Sequence, residues 1–181
     1  MQGILLRLYR DADGGAVRAL FRSVNRELAP SDMVETFECY IALAEREEIT
    51  RISEYYGTGR GRGFWVAEDA NGDIIGMFGL EPAGDDAAEL RRMYVASAAR
   101  GRGVASAMLR EAERFVRASG LKRLVLSTSE LQPAALALYR GAGYRLVREE
   151  VASAANNKTI GSGVRRFYFE KQLREPAVER G

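Results

Sequence analysis

The chain has 181 residues, 46% apolar and 29% charged, with a net charge of +2 at pH 7. That length supports one domain with a real core, and the near-neutral balance gives no bulk electrostatic pull toward nucleic acid or membrane. Histidine is absent and Cys39 is the single cysteine, which removes Ser-His-Asp and Cys-His catalysis, His- or thiolate-based metal sites and any internal disulfide.

No apolar run approaches the roughly 20 residues of a membrane helix. The opening MQGILLRLYRDADGG is charged too early for a secretory signal. The cytoplasm is therefore the expected compartment, with no membrane and no nucleic acid as partner. Proton chemistry must use Glu, Asp, Tyr, Lys or water.

In chain order, Ile4 to Arg10 reads as a short strand. Asp13 is placed to cap a helix whose Val17, Leu20, Phe21, Val24 and Leu28 form one apolar stripe. Pro30 ends it. Asp32 with Glu35 has the spacing of a capping box for a second helix. Its stripe is Phe37, Tyr40, Ile41 and Ala44, and further helix reaches about Tyr56. Cys39 lies beside that stripe as an unreactive helix residue. Tyr55 to Gly63, YYGTGRGRG, is a flexible loop at a substrate entrance; one short Gly-Arg copy is a weak nucleic-acid signal. Phe64–Glu68 and Asp73–Glu81 are strands joined by a turn at Asn71-Gly72. Gly76 and Gly79 allow close packing there.

Pro82 to Asp86 turns the chain into a strand from Ala88 to Val95. A Gly-containing turn, Arg100 to Ala105, then opens a long helix with Val104, Met108, Ala112 and Phe115 on one face, stopped by Gly120. Leu124–Thr128 is a buried strand, and Pro133 opens a short helix to about Arg140. Tyr144–Val151 and Arg165–Leu173 are strands joined by a polar loop from Ser153 to Gly163. The expected domain covers 1–175, with a disordered tail at 176–181. The order β-α-α-β-β-β-α-β-α-β-β implies a mixed, mostly antiparallel sheet covered by helices, an α/β (α+β) class.

The turn before the long helix carries chemistry. Two glycines allow tight or positive-φ backbone. The first helical N–H groups lack intrahelical partners, so with the helix dipole they suit a phosphate or pyrophosphate. Arg100 and Arg102 add charge at the rim.

This turn resembles the acetyl-CoA motif of the GNAT N-acetyltransferase superfamily, Q/R-x-x-G-x-G/A, filled by Arg100, Gly103 and Ala105. The segment Leu131–Tyr144 resembles the family's N-x-x-A-x-x-L-Y-x-x-x-G-F/Y at Ala135, Leu138, Tyr139, Gly143 and Tyr144. Gln132 stands where Asn is usual and keeps a side-chain amide. The strand order is also the family's. Dinucleotide binding fits less well: Ala96 to Arg100 separate the strand from Gly101, and position 106 is Ser106 rather than a third Gly.

The resemblance implies a splayed pair of strands, the fourth and fifth, with acetyl-CoA held between them. It places Met93, Tyr94, Val95, Arg100, Gly101, Arg102, Gly103, Val104, Ala105, Ser106, Gln132 and Tyr139 at the cosubstrate. Backbone amides of the strand, at Met93 and Val95, would bond the thioester carbonyl and pantetheine. Tyr139 would be the acid for the CoA thiolate. No metal is expected.

An amine of pKa about 10 must lose a proton before it attacks. Glu89 is the candidate base, roughly 13 Å along the strand from Met93 and so working through water. Its competing reading is a surface or salt-bridging carboxylate paired with Arg91. Glu81 is the second candidate. Arg91 and Arg92 either attract an acidic substrate or, as is favoured, are solvated or ion-paired. The phrases FWVAE, IIGMFGL and STSELQPAALALYRGAGY resemble the camello-like subgroup. Small amines, cysteine conjugates and peptide lysines all remain open as acceptors, as does a homodimer. A non-catalytic CoA-binding sensor is the alternative from another class.

Overall fold

The computed structural model describes residues 3–173; the expected tail at 176–181 lies outside them. Seven strands form one sheet: β1 (Leu5–Leu8), β2 (Gly63–Glu68), β3 (Ile74–Pro82), β4 (Ala87–Val95), β5 (Arg123–Ser129), β6 (Arg145–Ala152) and β7 (Val164–Gln172). Their spatial order is β1-β2-β3-β4-β5-β7-β6. All neighbours are antiparallel except β4 and β5. A parallel pair requires a crossover, and α4 (Val104–Ala118) supplies it.

The helices α1 (Gly14–Leu28), α2 (Val34–Glu47) and α3 (Ile52–Tyr56) cover one face, and α4 and α5 (Pro133–Gly141) cover the other. Each face has its own core. Val17, Phe21, Phe37, Tyr40 and Ile41 pack with Phe64, Val66 and Met77 on the first. Trp65, Phe78 and Leu90 pack with Met108, Val116 and Tyr139 on the second. Alternate residues of β2 and β3 thus feed opposite layers, as a strand buried on both faces must.

Two expected caps differ. Asp13 precedes α1 but makes no side-chain cap to it. Its carboxylate instead accepts from the Arg10 amide at 2.8 Å and from Arg7 Nη1 and Nη2 at 2.8 and 2.9 Å. A guanidinium fork competes effectively for a carboxylate that would otherwise cap. The α2 cap is Met33, not Asp32, and it has no side-chain cap bond. The Gly-Arg loop also lies elsewhere than expected. Arg60 donates to Ser119 O and Gly120 O at 3.1 and 3.3 Å, beside the start of β5.

Two features of β4 open the sheet on one side. First, it pairs with β5 only over Ala87–Leu90 against Arg123–Leu126; beyond that β4 stays with β3 while Ser127–Ser129 pair with β7. The two parallel strands therefore part after Leu90 and Leu126, the splay expected of the fourth and fifth strands. Second, Phe78 of β3 faces two residues of β4, Arg92 and Met93. Arg92 adopts φ +53°, so the strand carries a bulge at the opening of the slot.

Candidate active site

Where β4 and β5 part, a cleft is lined by Glu89 to Tyr94 from β4, Ser127 to Ser129 from β5, and Gln132 and Tyr139 around α5. Asn25, Phe37 and Tyr40 close it from the helical side, and Lys158 and Thr159 from the loop after β6. The structure thus gathers Glu89, Met93, Tyr94, Gln132 and Tyr139 in one place.

Slot-side backbone donors follow from alternation. The Ala96 amide donates across to Ile75 O at 2.9 Å. Successive amides in a strand point to opposite edges, which turns those of Val95 and Met93 toward the slot.

Tyr139 is 5% exposed, packed among Tyr144 and Phe169. Among the described residues its hydroxyl has no hydrogen-bond partner, and no fully buried side-chain oxygen or nitrogen goes unpaired. The hydroxyl therefore opens onto the cleft. Burial, with the neighbouring Tyr94, pushes its pKa well above the usual phenol value, so it is a proton donor throughout the physiological range. Gln132 accepts from Thr128 Oγ1 at 3.0 Å through Oε1, which fixes its amide at the start of α5.

The Gly turn forms a separate part of the site. Gly101 and Gly103 take φ +74° and +80°. The first amide of α4 with a backbone acceptor is that of Ala107, donating to Gly103 O at 3.0 Å. Among the described residues, the amides of Gly101, Arg102, Gly103, Val104, Ala105 and Ser106 donate to no backbone carbonyl. This concave run of donors at a helix start fits a phosphate group. Arg100 is drawn away from it, donating to Glu27 Oε2 at 2.7 Å and Val95 O at 3.3 Å; Arg102 is exposed.

The ionic centre beneath the cleft bears out the favoured reading of Arg91 and Arg92, as ion-paired arginines. Glu48 has no exposed surface, and the side chains of Arg91 and Arg92 are each 4% exposed. Glu48 accepts from Arg91 Nη2 at 3.0 Å and from Arg92 Nε and Nη2 at 2.9 and 2.6 Å, and from the Tyr56 hydroxyl. Arg92 also donates to the Tyr40 hydroxyl and to Asn157 O. Consecutive strand residues ordinarily face opposite ways; the bulge lets both guanidiniums reach one carboxylate. Burial alone raises the Glu48 pKa, but its bonds to Arg92 and Arg91 outweigh that and leave it below the ordinary range. These arginines are ion-paired, and not solvated.

Glu89 does not pair with Arg91. Its Oε2 takes Lys158 Nζ at 2.7 Å, and the same Nζ reaches Glu81 Oε1 at 2.9 Å. Arg91 turns instead to Glu81, at 3.2 Å, and Glu48. Burial raises the Glu81 pKa, but Arg91 and Lys158 bring it below the usual value. Cys39 sits exposed on α2 and does not line the cleft. Among the described residues no group of three or more His, Cys, Asp or Glu could hold a metal ion, and no helix is long and apolar enough to cross a membrane.

Sequence reasoning missed Glu48 and Lys158. The first had a signal: Glu48 lies four residues after Ala44 and extends the stripe Phe37, Tyr40, Ile41, Ala44, so a charge falls on a buried face. Lys158, in a loop without periodicity, had none.

An open slot between parting parallel strands, followed by a helix-start phosphate cradle, is the arrangement the two sequence motifs imply. The sequence profile of the Acetyltransferase (GNAT) family matches residues 27–144, and the chain belongs to that family. N-acetyltransferase 8 of Rattus norvegicus is 35% identical over 115 residues, covering 61% of this chain and 51% of the relative. N-acetyltransferase family 8 member 2 of the same species is 31% identical over 139 residues, 74% of this chain and 59% of the relative. The chain spans about half the length of the curated relatives it matches, and the camello-like resemblance fits this group. Among solved structures, a GNAT acetyltransferase from Staphylococcus aureus superposes with TM-score 0.73 at 16% identity, over 95% of this chain and all of the other. A phosphinothricin acetyltransferase from Sinorhizobium meliloti, in complex with AcCoA, gives 0.70 at 23% identity, over 96% and 90%.

Proposed function

We propose that this chain transfers an acetyl group from acetyl-CoA to a primary amine, directly and within a ternary complex. The observation that carries this is the parting of β4 from β5 after Leu90 and Leu126, with slot-facing amides on one side and the unpartnered Tyr139 hydroxyl on the other.

That geometry supports the following roles. Amides from Gly101 to Ser106 bind the pyrophosphate, with Arg102 at the rim. Met93 and Val95 amides bond the pantetheine and the thioester oxygen, where fixed donors stabilise developing negative charge. Tyr139 gives its proton to the departing thiolate. Glu89 takes the amine's proton through water, once Lys158 has released it; Glu81 is less suited, since Arg91 and Lys158 both occupy it and make it a weaker base. Cys39, outside the cleft, takes no part, consistent with transfer without a covalent enzyme intermediate. The acceptor is a small amine or a peptide lysine.

A Tyr139→Phe variant tests the acid. Turnover is expected to fall roughly 100-fold, the lower end of general acid catalysis, with acetyl-CoA affinity changed little. Unchanged turnover would remove Tyr139 from the mechanism. A second reading, a CoA-binding sensor without catalysis, draws on the ion pairs that tie Glu89 and Glu81 to Lys158.

A further inference from the structure

Lys158 carries an amine on the lining of the cleft, its side chain 44% exposed. The chain has three lysines, Lys122, Lys158 and Lys171, against a large excess of arginine, and guanidinium is not an acyl acceptor at neutral pH. Lys122 is exposed at the start of β5, and Lys171 Nζ is bound to Glu113 at 2.8 Å. Only Lys158 lines the cleft shared with Met93 and Tyr139.

The loop that carries it is fastened to the site. The Asn156 side-chain oxygen accepts the amides of Lys158 and Thr159 at 2.7 and 3.1 Å. The Asn157 carbonyl accepts from Arg91 at 3.4 Å and from Arg92. This anchors residue 158 against the guanidiniums of Arg91 and Arg92, on a cleft that Met93 also lines. From there its side chain reaches back to Glu89 and Glu81. A flexible four-carbon stem held at that pivot can swing the other way, toward the Met93 end. The two carboxylates hold Nζ as an ammonium: burial lowers its pKa, and Glu89 and Glu81 more than restore it.

We propose that Lys158 is a self-acetylation site, an internal amine acceptor that this chain modifies in its own cleft. The inference rests on the slot being the acyl-donor site. Nζ gives its proton to Glu89 and then to water. The neutral amine attacks the thioester carbonyl carbon, so a C–N bond forms and the C–S bond breaks, and the nitrogen's second proton leaves to water. The thiolate takes a proton from Tyr139, which is reprotonated from solvent. The net change is ammonium plus acetyl-CoA to acetamide, free CoA thiol and one proton. Acetylation removes the charge that ties up Glu89 and so frees that carboxylate for an external amine, while Glu81 stays paired with Arg91.

The test incubates the full chain with acetyl-CoA and no added acceptor, then maps acetylated peptides by mass spectrometry. One acetyl group is expected on Lys158, about tenfold or more faster than on Lys122 or Lys171, because the amine is held at the site. The rate per molecule should not depend on protein concentration. Lys158→Arg keeps the charge and should abolish the fast addition; Tyr139→Phe should slow it without altering the background at Lys122. Equal rates at all three lysines, or a rate rising with protein concentration, would overturn the proposal. Thiol release with an external amine but none of this modification would overturn it while leaving the transferase reading standing. Absence of any stabilisation by acetyl-CoA would overturn the donor-site reading itself, and the inference with it.

Discussion

Glu48 is a buried carboxylate whose stability depends on two arginines from another element. Its desolvation is offset only by several short charge-assisted bonds at once. Removing one partner leaves the others buried and uncompensated. Glu48→Gln is therefore expected to destabilise the fold by about 3–5 kcal/mol, read by denaturant unfolding; a loss within experimental error would contradict the ionic account. The pH dependence has a definite sign. The folded state holds Glu48 below its ordinary value of 4.5, so the folded chain binds fewer protons than the unfolded one. The contribution is fully present above that value and is lost as pH falls through the lower, folded-state value. The melting-temperature gap between wild type and Glu48→Gln should be wide at neutral pH and close in acid. A gap that widens in acid would reverse this assignment.

At the scale of elements, the slot exists because β4 changes partners and direction over a few residues. The bulge at Arg92 and Met93 is braced from behind by Glu48, which Tyr56 also holds. Gly79 of β3 leaves room for that tyrosine: a Cβ there would come 2.6 Å from Tyr56 Cζ and 2.8 Å from its hydroxyl. Gly79→Ala should force Tyr56 off Glu48 and cost roughly 1–3 kcal/mol of overpacking strain, with cleft function lost alongside. The phosphate turn is limited differently. A Cβ on Gly103 would meet nothing within 4 Å, but φ is +80°. Gly103→Val should thus fail through backbone strain of about 1–3 kcal/mol and a disturbed cradle, weakening acetyl-CoA binding. Gly103→Asn, which tolerates left-handed backbone, should recover much of it. Equal binding by the Val variant would take the phosphate away from this turn.

Across the whole molecule, what was legible in the sequence was whatever depends on near neighbours in the chain. The strand, Gly turn and helix from Ala88 to Ala118 could be read from local spacing. So could the stripe of α1 and the short helix opened by Pro133. Tyr139 was recognisable because its motif fixes it relative to Gly143 and Tyr144. The ionic centre was not legible, because Glu48 meets Arg92 across 44 residues and Lys158 meets Glu81 across 77. Nor does an arginine signal φ +53°; only the completed sheet and its buried carboxylate hold Arg92 there. The cap expected at Asp13 failed for a related reason: Arg7 of β1 takes the carboxylate; at Asp32 the helix starts one residue late, after Met33. The sheet's strand order positions the slot, and the long-range contacts then tune its charge.

The central claim is acetyl transfer in the opening between β4 and β5. The most direct test incubates the full chain with acetyl-CoA and a panel of polyamines, amino acids, cysteine conjugates, aminoglycosides and lysine peptides, measuring free CoA thiol and acetylated product together. The account predicts steady release of thiol matched one for one by an N-acetylated amine. Acetyl-CoA that binds and raises the melting temperature, yet is consumed with none of these acceptors, would contradict it in favour of a sensor.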